Sequence, residues 1–369
     1  MIDVNAAMEG QPATVLAFAE AQRLALGGSR DPERQVDLGQ FLTPTRVAQR
    51  MAALVDELPS TLRLLDAGAG VGSLTAALCD EVLRRSGPME ALHVTAYEVE
   101  PAFQGALLQT LRACGAALAE RGVAFHSEPR LDDFLKDAVA QLKGQAPERR
   151  FNFAIVNPPY RKLRSGSPER RALRSVDIEA NNLYSAFLAL IIKLLEPGGA
   201  LCAITPRSFC NGPYFLPFRR LLLSQMQLRD VLVFDSRDRA FADDQVLQET
   251  LIWVAYKGSR RDAEVRLHRS AGPESAPAPP RVLPHDVVAP PDDPQRFLYL
   301  PLEEPDPLER ALQRLPATLT ALGLQVATGR VVDFRAAEHL RAQHQQGTAP
   351  LLYPAHLTAE RVASTLARW

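Results

Sequence analysis

The chain has 369 residues, with 42 Lys and Arg against 43 Asp and Glu, a net charge of −1 and 46% hydrophobic residues. That length supports a large core and, at roughly 100–200 residues per domain, two domains; the near-neutral charge confines any nucleic-acid contact to local basic patches. No apolar run approaches the ~20 residues of a membrane span, and the start MIDVNAAMEG lacks a signal-peptide pattern, so the expected location is cytoplasmic. The four cysteines (Cys79, Cys114, Cys202, Cys210) form no CxxC pair, which argues for reduced thiols and against a metal site.

Residues 5–26 are alanine-rich with Val15, Phe18 and Leu24 at helical spacing, which predicts a helix in an N-terminal extension over 1–35. In FLTP, Thr43 reads as an N-cap and Pro44 as the first helical residue of a helix over Thr45–Leu58. A strand at Arg63–Leu65 then runs into Asp66-Ala67-Gly68-Ala69-Gly70-Val71-Gly72, with a helix from Ser73. Glycines there let backbone approach a ligand beside a helix N-terminus. The spacing is neither a dinucleotide GxGxxG nor a P-loop. The next strand, HVTAYEVEP, places Glu98 about one βαβ unit later, where an acidic residue commonly bonds ribose hydroxyls. After a helix (Ala102–Arg121) and a short strand (Val123–His126) comes LDDFL. Asp133 and Phe134 pair a carboxylate with a ring there, although residues 132–134 equally suit a helix cap.

The stretch FNFAIVNPPY is the centre of the pattern. Phe153–Val156 reads as a buried strand, and Pro158 and Pro159 end it because they fix φ and remove two backbone donors. An amide (Asn157), freed carbonyls and a ring (Tyr160) are left at a strand's carboxyl end, an arrangement suited to a planar amine-bearing substrate; the bland alternative is an ordinary proline-rich turn. The following RKLRSGSPERRALR carries Arg161, Lys162, Arg170 and Arg171 in a segment expected to be mobile, either a phosphate-gripping loop or a solvated face. A long apolar helix (SAFLALIIKLL), a Pro197-Gly198-Gly199 stop, the strand ALCAITP and two later strands bracketing Phe241 complete about seven strands: a doubly wound α/β domain over 36–258. Residues 259–296, rich in Pro and Ala, read as a linker, and 297–369 as a short region that ends without a closing element, expected to belong to a truncated chain or a module needing a partner.

Taken together, FLTP, DAGAGVG, YEVEP, DDFL, NPPY, NLYSAFL, PGGALCAITP and VFDSR…F…VLQE resemble the N6-adenine DNA methyltransferases of restriction–modification systems, the Eco-type NPPY methylases with FxTP ahead of the glycine loop. The resemblance implies a class I S-adenosylmethionine-dependent methyltransferase fold, Rossmann-like, with 297–369 as the start of a target-recognition domain. It implies S-adenosylmethionine as cofactor, with Thr43 and Pro44 over the methionine part, Asp66, Gly68 and Gly70 lining its loop, Glu98 on the ribose, and Asp133 and Phe134 on the adenine. Asn157 and the Pro158 carbonyl would accept from the target amine, Tyr160 and Phe241 would stack on the flipped base, and Arg161, Lys162, Arg170 and Arg171 would grip phosphate. Double-stranded DNA is the implied partner, with a cognate restriction endonuclease or a specificity module as further candidates. The alternatives are a protein-glutamine N5 or RNA methyltransferase using the same NPPY site, or a methylase fragment needing a specificity partner.

Overall fold

Strand β1 (Thr61–Ala67) is the pivot of the sheet. In the computed structural model it lies between β2 (Ala91–Tyr97) and β4 (Phe151–Val156), parallel to both. Outward from β2 comes β3 (Ala124–Arg130), and outward from β4 come β5 (Leu195–Pro206), β7 (Thr250–Lys257) and β6 (Met226–Phe234). With β8 (Glu264–Ser270) and β9 (Arg281–Pro284) at the far edge, the full order is β3-β2-β1-β4-β5-β7-β6-β8-β9, with β7 antiparallel to both its neighbours. The strand order reverses between β1 and β4, so the crevice at their carboxyl ends is where this architecture admits a ligand. The structure describes residues 14–27, 42–85, 87–235, 250–258, 264–304 and much of 307–351.

Both faces of the sheet's centre are covered, which is why β4 and β7 read as near-continuous apolar runs, whereas the edge strand β3 is exposed or half-buried throughout. On one face, Leu62, Leu64, Val94, Phe153 and Ile155 pack with α2 (Thr45–Ala53), α3 (Ser73–Arg84) and α4 (Pro101–Ala119). The other face carries Leu65, Ala154, Val156 and Leu201 against α5 (Phe134–Leu142), α7 (Leu183–Leu194) and α8 (Leu216–Gln225). Helix α1 (Val15–Gly27) belongs to the first layer rather than standing apart: the N–H groups of Val15 and Leu16 both donate to the Asp80 carboxylate at 3.0 Å, and Leu16 and Ala19 are buried. A carboxylate at a helix N-terminus satisfies two otherwise orphaned donors and favours the helix dipole.

Several elements depart from expectation. Helix α2 stops at Ala53, not Leu58, and Pro44 rather than Thr43 occupies its N-cap. The Pro197-Gly198-Gly199 stop lies inside β5, where the pairing with β4 shifts between Phe151 and Phe153; Gly198, at φ +79°, absorbs the extra residues. The segment expected as a linker instead supplies two more strands, β8 (Glu264–Ser270) beside β6 and β9 (Arg281–Pro284), making nine among the described residues. Proline-rich composition hid them: the prolines fall between the strands or at the end of β9, an edge strand, where a missing donor costs no ladder bond. Asp230 on β6 anchors β8, accepting from Arg266 Nη2 at 2.7 Å and lying 2.9 Å from His268 Nε2. After β9 the chain runs on without a strand over 297–302, where Leu298 and Leu300 are buried in the same core as Leu65 and Leu201.

The chain divides into two compact units, 1–304 and 305–369. The second contains a short helix α10 (Pro307–Gln313) and a 3-10 turn at Ala337–His339; α9 is the four-residue turn His285–Val288 of the first. The stretches LGLQVATGRVVDFR and PLLYPAHL fall largely outside the described residues, as does Phe241. Among the described residues, no helix is long and apolar enough to cross a membrane.

Candidate active site

The glycine loop leaves β1 through Gly68, Gly70 and Gly72, at φ +85°, +58° and +87°, a left-handed region that disfavours residues with a Cβ. A Cβ at Gly70 would fall 2.6 Å from Leu42 Cδ2, whereas one at Gly68 would enter the open cleft. Gly68 and Ala69 N–H donate to the Tyr97 carbonyl at 3.0 and 2.8 Å, tying the loop to the end of β2. The next residue, Glu98, is buried and held rigid: one carboxylate oxygen accepts from Gly70 N–H at 2.8 Å, the other from Glu100 N–H at 2.7 Å. Burial pushes its carboxyl above the usual range, and the backbone donors oppose that shift. A carboxylate offers about four lone-pair sites, so a carboxylate placed this way also suits a vicinal diol.

Asp66 has a different station. It is fully buried beneath the loop and does not line the cleft. One of its oxygens accepts from Thr75 Oγ1 at 2.7 Å, and the other has no hydrogen-bond partner among the described residues. Burial raises its pKa from 3.8 to about 7. Its contact is with the first turn of α3, so it braces the loop from below.

At the end of β3 Asp133 occupies a helix cap at the edge of the cleft. Its side chain caps α5, accepting from Leu135 N–H at 3.0 Å, and it also lines the cleft beside Asp132. Phe134 is buried, edge-on to Tyr97 at 5.2 Å and 5.0 Å from Phe187, and gives the cleft an aromatic wall. Asp132, Val99 and Phe187 line the same space and were not singled out from sequence. Val99 carried a signal: an exposed valine between Glu98 and Glu100, 55% accessible, is an apolar surface without a core to face. Phe187 carried none, because its helix is apolar on nearly every side.

Across the cleft, the end of β4 presents Asn157. Its Nδ2 donates to Thr43 Oγ1 at 3.1 Å, and its Oδ1 accepts from the Tyr160 hydroxyl at 2.8 Å. Both ends of the amide are thereby oriented. Thr43 is therefore no helix cap; its hydroxyl is directed at Asn157. The Tyr160 hydroxyl also lies 3.2 Å from the Ile204 carbonyl, and its ring meets Tyr184 edge-on at 6.0 Å. Burial pushes the Tyr160 phenol well above its ordinary pKa, so it remains a donor. Pro158 is buried, and Pro159 lines the cleft with Asn157.

The basic segment is ordered, contrary to expectation. Lys162 pairs as a bridge with Asn182, and Ser167 caps a helix α6 (Pro168–Arg174) by accepting from Arg170 N–H at 3.3 Å. Arg161 lines the cleft with Glu169, their charged groups 3.5 Å apart. Arg170 faces Glu179 at 3.8 Å, Arg171 donates to the Gly166 carbonyl, and Lys162 and Arg171 are exposed; these three do not line the cleft. The cleft thus gathers Gly68, Gly70, Glu98, Asp133, Phe134, Asn157 and Arg161 from the residues expected at the site, with Thr43 and Tyr160 one hydrogen bond away.

A family model described as Eco57I restriction-modification methylase matches residues 114–241. The type II methyltransferase M.PstI of Providencia stuartii is 37% identical over 347 residues, 94% of this chain and 68% of its own length. The chain belongs to the restriction–modification methyltransferases. M.BsuBI of Bacillus subtilis, another type II methyltransferase, is 36% identical over 87% of this chain and 64% of its own length, so this methyltransferase spans about two thirds of either relative. In fold, the methyltransferase is similar to a type I restriction enzyme modification subunit from Vibrio vulnificus (TM-score 0.56, 13% identity, 83% of this chain and 68% of that one). It is also similar to a protein of Listeria monocytogenes described as a class I S-adenosylmethionine-dependent methyltransferase (TM-score 0.53, 14% identity, 72% and 76%).

Proposed function

We propose that this methyltransferase transfers the methyl group of S-adenosylmethionine to the N6 amine of an adenine extruded from double-stranded DNA. The observation that carries the reading is the Asn157 amide, fixed at both ends at the carboxyl end of β4 and facing the cleft beside Gly68, Gly70 and Glu98.

The cleft's chemistry fits the cofactor. Gly68 leaves room for close approach of a ligand to backbone, Glu98 is a buried carboxylate suited to ribose hydroxyls, and Asp133 with Phe134 pairs an acceptor with an aromatic wall for an adenine. When bound, S-adenosylmethionine supplies an electrophilic methyl carbon. The protein's own task is to prepare the nucleophile. An exocyclic adenine amine is weak because its lone pair is delocalised into the ring. Asn157 Oδ1 and the Pro158 carbonyl, accepting from its two hydrogens, favour a pyramidal nitrogen with its lone pair directed outward. Positioning and oriented dipoles of this kind lower barriers without a strong base, and the raised pKa of Tyr160 fits a donor that holds Asn157 rather than a proton acceptor.

The duplex must surrender the base, at a cost of a few kcal/mol that stacking on Tyr160, and on Phe241, partly recovers. Arg161, Lys162, Arg170 and Arg171 are proposed phosphate contacts, and 297–369 the beginning of a target-recognition region that works with a restriction endonuclease or a specificity module.

The Asn157→Ala variant tests the reading. It should lose methyl transfer to DNA while binding S-adenosylmethionine with unchanged affinity by calorimetry; undiminished turnover would remove Asn157 from the chemistry.

A further inference from the structure

Beyond the base pocket stands a small, heavily braced loop, Arg207–Phe215, between β5 and α8. Its brace is Arg219, which is fully buried although, among the described residues, none of its hydrogen bonds goes to a carboxylate. The guanidinium donates to the carbonyls of Phe209 (3.0 Å), Gly212 (2.7 Å) and Gln295 (3.0 Å) and lies 5.0 Å from the centre of the Phe297 ring. Burying a charge whose hydrogen bonds all go to carbonyls is costly, and burial lowers the arginine's pKa while the nearby Asp293 carboxylate opposes the shift. Gly212 is equally constrained, since a Cβ there would lie 2.6 Å from the Ser208 carbonyl oxygen. Phe215 anchors the far end by stacking on Tyr184 at 5.3 Å, and Tyr184 in turn meets Tyr160.

What this bracing presents is Tyr214. It is 73% exposed, the most accessible of the described large hydrophobic side chains, while its neighbours Phe209 and Cys210 are buried. Its carbonyl accepts from Asn181 Nδ2 at 3.2 Å. That bond places its backbone beside the strip where Leu163 N–H donates to the Asn181 carbonyl and Lys162 bridges Asn182. Leu183 N–H donates to the Arg161 carbonyl, and both residues line the cleft. The backbone of Tyr214 therefore stands beside the strip that leads to Arg161 and Leu183 on the cleft wall and carries the exposed Lys162.

We propose that Tyr214 is a second stacking platform, which receives a nucleobase adjacent to the extruded target, and that Arg219 is the positioning residue that holds it in place. This rests on the DNA reading above. A π-face carried on a braced loop costs less backbone entropy when a base lands on it than one on a mobile loop, and base–aromatic stacking tolerates any sequence. The lysine on the neighbouring strip suits the phosphates that accompany such a base.

The test uses the full chain and two single-stranded probes of equal length and charge, oligo-dT and an abasic strand, with fluorescence anisotropy as readout. Tyr214→Ala should weaken oligo-dT binding about tenfold or more, the range stacking on one ring gives, and leave abasic-strand binding unchanged. Tyr214→Phe should keep wild-type affinity for both. Equal affinity of Tyr214→Ala and wild type for oligo-dT overturns the proposal, as does a loss in Tyr214→Phe matching that in Tyr214→Ala, which would signal a hydroxyl contact instead. Methyl incorporation into plasmid DNA by the wild type separates the layers: with none, the underlying DNA reading fails, whereas incorporation with the same KM for DNA in Tyr214→Ala defeats the stacking role alone.

Discussion

Asn157 Nδ2 donates to Thr43 Oγ1 at 3.1 Å, a hydrogen bond that joins residues 114 positions apart. It couples the segment ahead of the glycine loop to the end of β4, so the side chain proposed to hold the target amine is oriented by a residue remote in sequence. Thr43 is buried, and loss of its acceptor would leave the amide nitrogen without this partner.

Thr43→Val therefore keeps the shape and removes the hydrogen bond. Losing a partly buried hydrogen bond of this kind costs about 0.5–1.5 kcal/mol. If the bond matters most in the transition state, the single-turnover rate of methyl transfer falls by about 2- to 10-fold, and Thr43→Ser restores most of it. A valine variant as fast as wild type would mean that Asn157 is held well enough by Tyr160.

Tyr160→Phe retains the ring and deletes the donor to Asn157 Oδ1. The rate should fall while the pH–rate profile keeps its shape, because burial holds the phenol protonated across the working range. A new or lost titrating limb in that profile would identify Tyr160 as an acid–base group.

This pair shows what was and was not legible in the residues. The strand–Asn–Pro–Pro–Tyr break, the glycine loop and Glu98 could be placed at strand ends from local pattern alone, because prolines and glycines report backbone geometry directly. Thr43 could not. A threonine before a proline at a helix start satisfies every local rule for a cap, and only the tertiary bond to Asn157 reveals the other use. The same holds for β8 and β9, where proline-rich composition masked strands whose partners are remote in sequence.

Asp66 predicts a pH signature of stability. Its pKa is 3.8 ordinarily and about 7 in the folded chain because of burial. Between those values the folded state binds the extra proton, so stability falls as pH rises through the window and stays at its lower level above it. Asp66→Asn should stabilise the fold at pH 8 by on the order of a few kcal/mol at most, read as a higher melting temperature, and the gain should vanish toward pH 4. A uniform loss of stability at every pH would show that the carboxylate's bond to Thr75 outweighs its burial.

The integration of 264–270 into the catalytic unit is testable through Arg266. Its guanidinium bonds Asp230, which is 1% exposed, and Asp56. Arg266→Met strips a partly exposed partner from the buried Asp230, which keeps His268, so the loss falls below the roughly 3–5 kcal/mol of a fully buried pair. Urea denaturation should show the first unit unfolding at a clearly lower midpoint, with one cooperative transition. An unchanged midpoint would mean that β8 adds little to the unit's stability.

Among the basic residues, the exposed Arg171 and the largely covered Arg170, which faces Glu179, should behave differently. Arg171→Glu should reduce the slope of log binding constant against log salt by about one for each phosphate that is no longer neutralised. Arg170→Glu should chiefly disturb α6. Identical salt slopes for wild type and Arg171→Glu would make that residue a solvated charge.

The most direct measurement is of the product itself. Plasmid DNA incubated with the protein and S-adenosylmethionine carrying an isotopically labelled methyl group, then digested to nucleosides and analysed by mass spectrometry, should yield labelled N6-methyldeoxyadenosine. The label should disappear with Asn157→Ala. Label on another nucleoside, or its persistence in the alanine variant, would contradict the central claim that Asn157 presents an adenine amine to the methyl donor.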